Sequence, residues 1–324
     1  MNSDTRIISF DYIKAFCIFL VCLGHAFLFI FTDMNYNYSI TKYIYAFHMP
    51  LFMTVSGFFF ASTLKKDFVT VLKEKGIQLL LPCFSFFLLI KIFRLEANLN
   101  FWYLKCLFVQ YVIFYLLCKF QKALNIHKIL YWTLIIFIFL AVAPFINRWL
   151  IVTYKIMFMF PFFGVGVLVR NEWYFVKKFE IPFCIVSFIT SIIAILLWKT
   201  EYIIYFTPIK YLSFNGFDKK LFFASIMRWG TGIVISLFLI LLFDLLIKDE
   251  GKKETVFSKI IKNVGQHSME IYLLQSFVLE FSFIDFKKYE LNIVNYKYIW
   301  GGYFQSLQLQ YHCCYHTLSR EINS

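Results

Sequence analysis

The chain has 324 residues, of which 60% are apolar and 16% charged, with 44 phenylalanines and a formal net charge of +13. Soluble domains run about 45–50% apolar and about 25% charged. The excess apolar surface must therefore face lipid, which excludes a soluble enzyme, a disordered regulator and a disulfide-stapled secreted scaffold.

Crossing a hydrocarbon core roughly 30 Å thick takes about 20 apolar residues in a helix. By that measure nine spans are predicted, at 13–31, 43–62, 77–93, 101–118, 129–146, 150–169, 181–198, 226–247 and 264–284, with a weaker tenth near 298–316. None of these runs alternates as a barrel strand does, and helices satisfy their own backbone in lipid. The expected fold is an all-α polytopic membrane bundle of nine to ten helices, built as a single domain over 1–324. The first apolar run lacks a small-residue cleavage motif and is long enough to stay in the bilayer.

The short early loops set the orientation. Lys65, Lys66, Lys73 and Lys75, then Lys119, Lys122 and Lys128, fall on the side of the N-terminus, which the positive-inside rule places in the cytoplasm. The net positive charge then belongs to loops at an anionic leaflet and not to nucleic acid as a partner. The stretch 199–225 becomes an outer loop with room for a helix lying on the membrane. Of eight cysteines, Cys17, Cys22, Cys83, Cys106, Cys118 and Cys184 sit inside apolar runs as small hydrophobes, while Cys313 and Cys314 are adjacent. No metal-ligand spacing occurs.

Polar residues at membrane depth are costly and therefore informative. The first span carries Asp11, Lys14 and His25. Lys14 and His25 are eleven positions apart, three helical turns plus about 20°, so they share a face and lie about 16 Å apart along the axis. Asp11 sits one turn below Lys14 as an ion-pair candidate. The second span opens with Phe47-His48-Met49-Pro50-Leu51-Phe52 and puts His48 at a depth similar to His25. Two imidazoles there could take a proton from a hydroxyl near neutral pH, or could hold the bundle together through nearby carbonyls. Ser56-Gly57 allows close helix packing or lines a narrow path.

Lys73, Lys75 and Gln78 precede Pro82 in the third span; these lysines either obey the charge rule or hold the phosphates of a soluble donor. Lys91 and Lys105 lie near helix ends and can snorkel, Arg228 lies close to the outer end of the eighth span beside Trp229, and Lys155 is deeper and needs a partner. Carboxylates in the spans are few, namely Asp244, Glu270 and Glu280, which weakens a proton-coupled transporter.

Asp11, Lys14 and Leu23-Gly24-His25 resemble the opening motif of the membrane acyltransferase family 3. Phe47-His48-Met49-Pro50-Leu51-Phe52 with Ser56-Gly57-Phe58, and Trp102-Tyr103-Leu104, resemble its fucose 4-O-acetylase-like branch. Gly164, Gly166, Gly265, Ser268 and Tyr272 are similar to later landmarks, so the likeness covers about 5–285 and leaves 286–324 atypical. The resemblance implies a multi-pass protein of the bacterial inner (plasma) membrane. Such an enzyme moves an acetyl or other short acyl group from acetyl-CoA or another acyl-CoA, a co-substrate and not a bound cofactor, onto a hydroxyl of a cell-surface glycan. It makes His25 the catalytic histidine with Asp11 as companion and His48 as a second catalytic candidate. Lys14, Lys75 and Ser56 then face the donor. Two positions depart from the family pattern: Gln78 stands for the second arginine of a donor-linked pair, and Gln275 for a histidine that often follows the ninth-span Tyr-Leu element. The rival reading is a transporter or flippase for a glycan precursor, with the same polar interior and no chemistry.

Overall fold

A computed structural model describes residues 7–30, 40–92, 101–146, 153–204, 209–213, 216–247, 255–275 and 278. The far end of the ninth predicted span, the tenth near 298–316, Glu280 and the Cys313-Cys314 pair lie outside the described residues.

The described chain is a helix bundle. Its helices are α1 (Ile8–Ile30), α2 (Thr41–Phe58, continued by a 3₁₀ stretch Phe59–Lys65), α3 (Phe68–Lys75), α4 (Leu81–Ile92), α5 (Trp102–Leu124), α6 (Lys128–Ile146), α7 (Thr153–Asn171), α8 (Trp173–Lys178), α9 (Glu180–Leu196), α10 (Lys219–Leu246) and α11 (Val256–Gln266), followed by a helical segment 268–275. Among the described residues, Ile8–Ala26, Thr41–Lys65, Trp102–Leu124 and Lys219–Leu246 are long and apolar enough to cross a bilayer, while Leu130–Phe145 and Glu180–Leu196 are apolar but shorter. The burial pattern differs from that of a soluble protein. Phe84 and Phe87 on α4, Phe137 and Ile138 on α6, and Ile181, Val186 and Ile189 on α9 are exposed, whereas Arg228, Thr231, Ser236 and Asp244 on α10 are buried. Apolar side chains fill the core and also cover the outside, with the buried polar groups kept away from the surface, as a lipid solvent selects.

The structure departs from the expected spans and outer loop in four places. The third span does not run continuously through 77–93: Pro82 has no amide hydrogen, and the chain widens into a π-turn over Gly76–Leu80 before α4 begins. Pro82 sits at the start of α4, where a missing donor is tolerated. The ninth span is interrupted at His267, which ends α11 and opens the segment 268–275. The outer loop holds no surface helix among the described residues. It forms a 3₁₀ turn at Thr200–Tyr202 and a two-residue antiparallel ribbon, β1 (Leu212–Ser213) with β2 (Gly216–Phe217). α10 starts earlier than expected, at Lys219, because Asp218 caps it by accepting from the backbone N–H groups of Lys220 and Leu221 at 2.9 and 3.1 Å.

The centre of the bundle is α2 against α7, running parallel. A Cβ on Gly57 would lie 2.1 Å from the Phe163 carbonyl oxygen, and one on Gly166 would lie 2.0 Å from that of Thr54. Both glycines are thus required for backbone-to-backbone approach, so close packing is the role of Gly57 and Gly166. α11 lies against the start of α1 in the same way, since a Cβ on Gly265 would meet the Asp11 carbonyl oxygen at 1.9 Å. The Tyr12 and Ser258 hydroxyls, 2.6 Å apart, pin that contact.

Candidate active site

The end of the bundle at which α1 begins, here the basal end, carries most of the charge. Asp11 is buried, and Lys14 places its ammonium 5.1 Å from the ring centroid of Phe59. α3 is capped by Asp67, whose carboxylate accepts from the Thr70 N–H at 2.8 Å; these bonds hold it below the usual carboxylate range. At the other end of α3, Lys75 donates to Gln78 Oε1 at 3.0 Å and lies 4.3 Å from the centroid of the Tyr111 ring. Burial, reinforced by the Lys66 charge, lowers the Lys75 ammonium below its ordinary value. Gln78, at the position that breaks the arginine pair, is therefore the hydrogen-bond partner of the lysine that remains.

From Lys75 a run of polar and aromatic groups leads toward the opposite, upper end. The Tyr111 hydroxyl reaches the Ser56 carbonyl at 3.5 Å. Ser56 Oγ donates to the Phe52 carbonyl of its own helix at 2.9 Å, and the Phe52 ring packs on Tyr103 at 6.0 Å between centroids. Tyr103 packs edge-on against Tyr272 at 6.1 Å, and the Tyr272 carbonyl accepts from Gln275 Nε2 at 3.3 Å. Gln275 Oε1 lies 3.0 Å from His25 Nδ1.

His25 is half-buried and faces the segment 268–275. His48 is almost fully buried; its Nδ1 donates to the Ile44 carbonyl at 2.6 Å, and its ring meets Tyr45 edge-on at 5.0 Å. A Cβ on Gly24 would contact Tyr45 at 3.4 Å and Ile44 at 3.5 Å. The residues flanking the two histidines therefore touch, as expected from matching depths. A carbonyl oxygen can only accept, so the ring proton of neutral His48 sits on Nδ1 and its Nε2 is an acceptor. One of the two carbonyl-bonded histidines that a purely structural reading requires is thus present, but His25 bonds to an amide from a distant helix.

The six candidates are not one cluster. His25 and His48 share the upper level, Lys14, Asp11 and Lys75 lie near the basal end, and Ser56 stands between them along the run through Tyr111 and Tyr103. The sequence left Lys155 without a partner; the structure gives it the Trp102 ring at 4.8 Å and the Tyr154 ring at 5.8 Å. Arg228, expected near the outer end of its span, is turned inward. It is 1% exposed and donates to the carbonyls of Glu201 and Tyr202, which fastens the outer 3₁₀ turn onto α10. Gln275, Tyr111 and Tyr272 were missed as site residues, although Gln275 is a polar residue inside an apolar run and carries that signal in the sequence.

A family model described as an acyltransferase domain matches residues 7–304. Nodulation protein NolL of Sinorhizobium fredii is 35% identical over 104 residues, covering 31% of this chain and 28% of that protein. Nodulation protein NolL of Mesorhizobium japonicum is 39% identical over 85 residues, covering 25% of this chain and 23% of that protein. The matched stretches thus span about a quarter of the length of these relatives. No solved structure matches the chain.

Proposed function

The chain belongs to the acyltransferase family, and on that premise we propose that it is a membrane-embedded O-acyltransferase with His25 as general base, acting as one domain of nine to ten spans. The donor is acetyl-CoA or another short acyl-CoA, and the acceptor is a hydroxyl of a cell-surface glycan. The protein resides in the bacterial inner membrane with its N-terminus in the cytoplasm.

The observation that carries this reading is the run of side chains from Lys75 through Tyr111, Ser56, Tyr103 and Tyr272 to His25. Phosphates of the donor suit the basal lysines, Lys75 and Lys14, as point-charge partners. The tyrosines of the run offer hydroxyls to the amides of the thin acyl-bearing arm and rings to its methylenes. At the upper end the acceptor hydroxyl gives its proton to His25 while its oxygen attacks the thioester carbonyl. The tetrahedral intermediate collapses with cleavage of the carbon–sulfur bond, and the proton passes from His25 to the departing thiolate. A positioned base of this kind contributes about 10²–10⁴-fold. His48 has its ring proton engaged by Ile44, so accepting a hydrogen bond from the acceptor hydroxyl suits it better than donating to an oxyanion. Asp11 braces the basal mouth beside α11.

The test is ester-linked acetyl on surface glycans, read by mass spectrometry before and after mild alkali, in a deletion strain complemented with wild type or His25→Ala. Acetyl restored only by wild type supports acyl transfer. Unchanged acetyl with altered glycan export would instead favour the transporter reading.

A further inference from the structure

We infer that Gln275 is the positioning residue that fixes His25 in one tautomer, an inference that rests on the general-base reading above. A neutral imidazole in water exchanges its proton between two nitrogens, and only the nitrogen without it can act as a base. The site removes that ambiguity in two steps. Gln275 is 9% exposed, and its Nε2 donates to the carbonyl of Tyr272 one turn earlier. That bond orients the amide so that Oε1, which can only accept, lies 3.0 Å from His25 Nδ1. The proton is thereby held on Nδ1, and Nε2 is the basic nitrogen.

The support behind Gln275 is rigid. Its segment follows α11, which is pressed against α1 by the missing Cβ of Gly265 and pinned by the Tyr12–Ser258 hydroxyl contact. Those contacts hold α11 against α1, and the segment that follows it places the amide beside His25. The amide is also neutral. A carboxylate in this place would hold the same tautomer and would in addition stabilise the imidazolium, as in triads where an acid orients the histidine. With an amide the ring is oriented and the charged form gains no ion pair, which suits a base in a desolvated site.

The experiment measures transfer of radiolabelled acetyl from acetyl-CoA to endogenous glycan in membranes carrying full-length wild type, Gln275→Leu, Gln275→Glu or His25→Ala, across the neutral pH range. Gln275→Leu keeps the buried volume and removes the acceptor. It is expected to lower kcat by about tenfold or more with KM for acetyl-CoA unchanged, as loss of groups that orient a histidine from behind does elsewhere. Gln275→Glu is expected to retain activity, with the acid limb of its rate–pH profile moved to higher pH because the carboxylate stabilises the protonated ring. Among the described residues, the titratable neighbours at this level include His48, Tyr45 and Tyr272, which are the same in every variant.

A merely structural Gln275 gives the opposite pattern, with the apolar variant tolerated and the buried charge harmful. Wild-type kcat in Gln275→Leu, or an active Gln275→Glu with an unmoved profile, overturns the proposal. If Gln275→Leu fails to accumulate, the Gln275→Glu profile alone decides. Inactive His25→Ala beside fully active Gln275→Leu removes the positioning role and leaves the base intact, whereas active His25→Ala removes both.

Discussion

The two ends of this bundle are held by different physics. At the basal end, Lys177 of α8 is shared by Glu180 of α9 at 2.8 Å and by Asp244 of α10, whose other oxygen accepts from Ser9 of α1 at 2.9 Å. Four elements meet on two buried carboxylates and one ammonium. At the upper end the histidines carry neutral hydrogen bonds, one to an amide and one to a carbonyl. Charge that is closed on itself makes a clamp and has no capacity left for a substrate. A neutral imidazole that donates through Nδ1 has Nε2 as a hydrogen-bond acceptor. The difference teaches that charge content alone does not mark where a membrane protein can do acid–base chemistry.

The largest effect that tests this contrast is His25→Ala. Acetyl transfer should fall by about 10²–10⁴-fold, while the melting temperature of the detergent-solubilised protein changes little; a large drop in melting temperature would make His25 part of a clamp after all. Next comes Gly57→Ala. Its methyl would meet a backbone carbonyl that no rotamer can move, so overpacking should cost about 3 kcal/mol, read as lost thermal stability. The α2–α7 contact lies between the two ends, so activity per folded molecule reports whether the upper level depends on it.

Lys177→Met should cost about 2 kcal/mol, less than a fully buried pair because a third of the lysine side chain is exposed. Transfer per folded molecule should be unchanged. The clamp also has a pH signature. Burial alone lowers the Lys177 ammonium, but the bonds to Asp244 and Glu180 outweigh it and raise the group above its ordinary value. A raised lysine stabilises the fold fully below its unfolded pKa of about 10.4 and loses that contribution as pH rises through the folded one. Wild type should therefore lose its stability advantage over Lys177→Met only in strongly alkaline solution, by thermal unfolding in detergent. The smallest effect is Lys75→Met, with a few-fold rise in KM for acetyl-CoA and little change in kcat, since a half-exposed phosphate contact contributes about 1 kcal/mol or less.

The bundle class, the depth match of the histidines and the glycine packing were legible because each is written in a local signal. A histidine in an apolar run and a glycine beside a serine stand out within a few residues. The clamp was not legible, since Lys177 reads as an inside-loop charge and Asp244 as an isolated acid until folding brings α8 to the end of α10. Nor was the break at His267, because what fixes α11 in place is its packing on α1, through Gly265 on Asp11 and the Tyr12–Ser258 hydroxyl contact. Lys155 shows the same gap from the other side. It was expected deep in its span but stands at the start of α7, and its partner, Trp102, comes from the start of a different helix. The partnership of His25 with Gln275 spans 250 positions and leaves no trace in either neighbourhood.

That separation has a consequence for biogenesis. A membrane protein is laid into the bilayer from its first helix onward as the ribosome delivers it. Both histidines enter early, whereas the residue that orients His25 is synthesised last among the groups of the site. A half-made chain therefore carries the imidazole without Gln275 beside it; on the positioning role proposed for that amide, the base would be set only once the late segment docks.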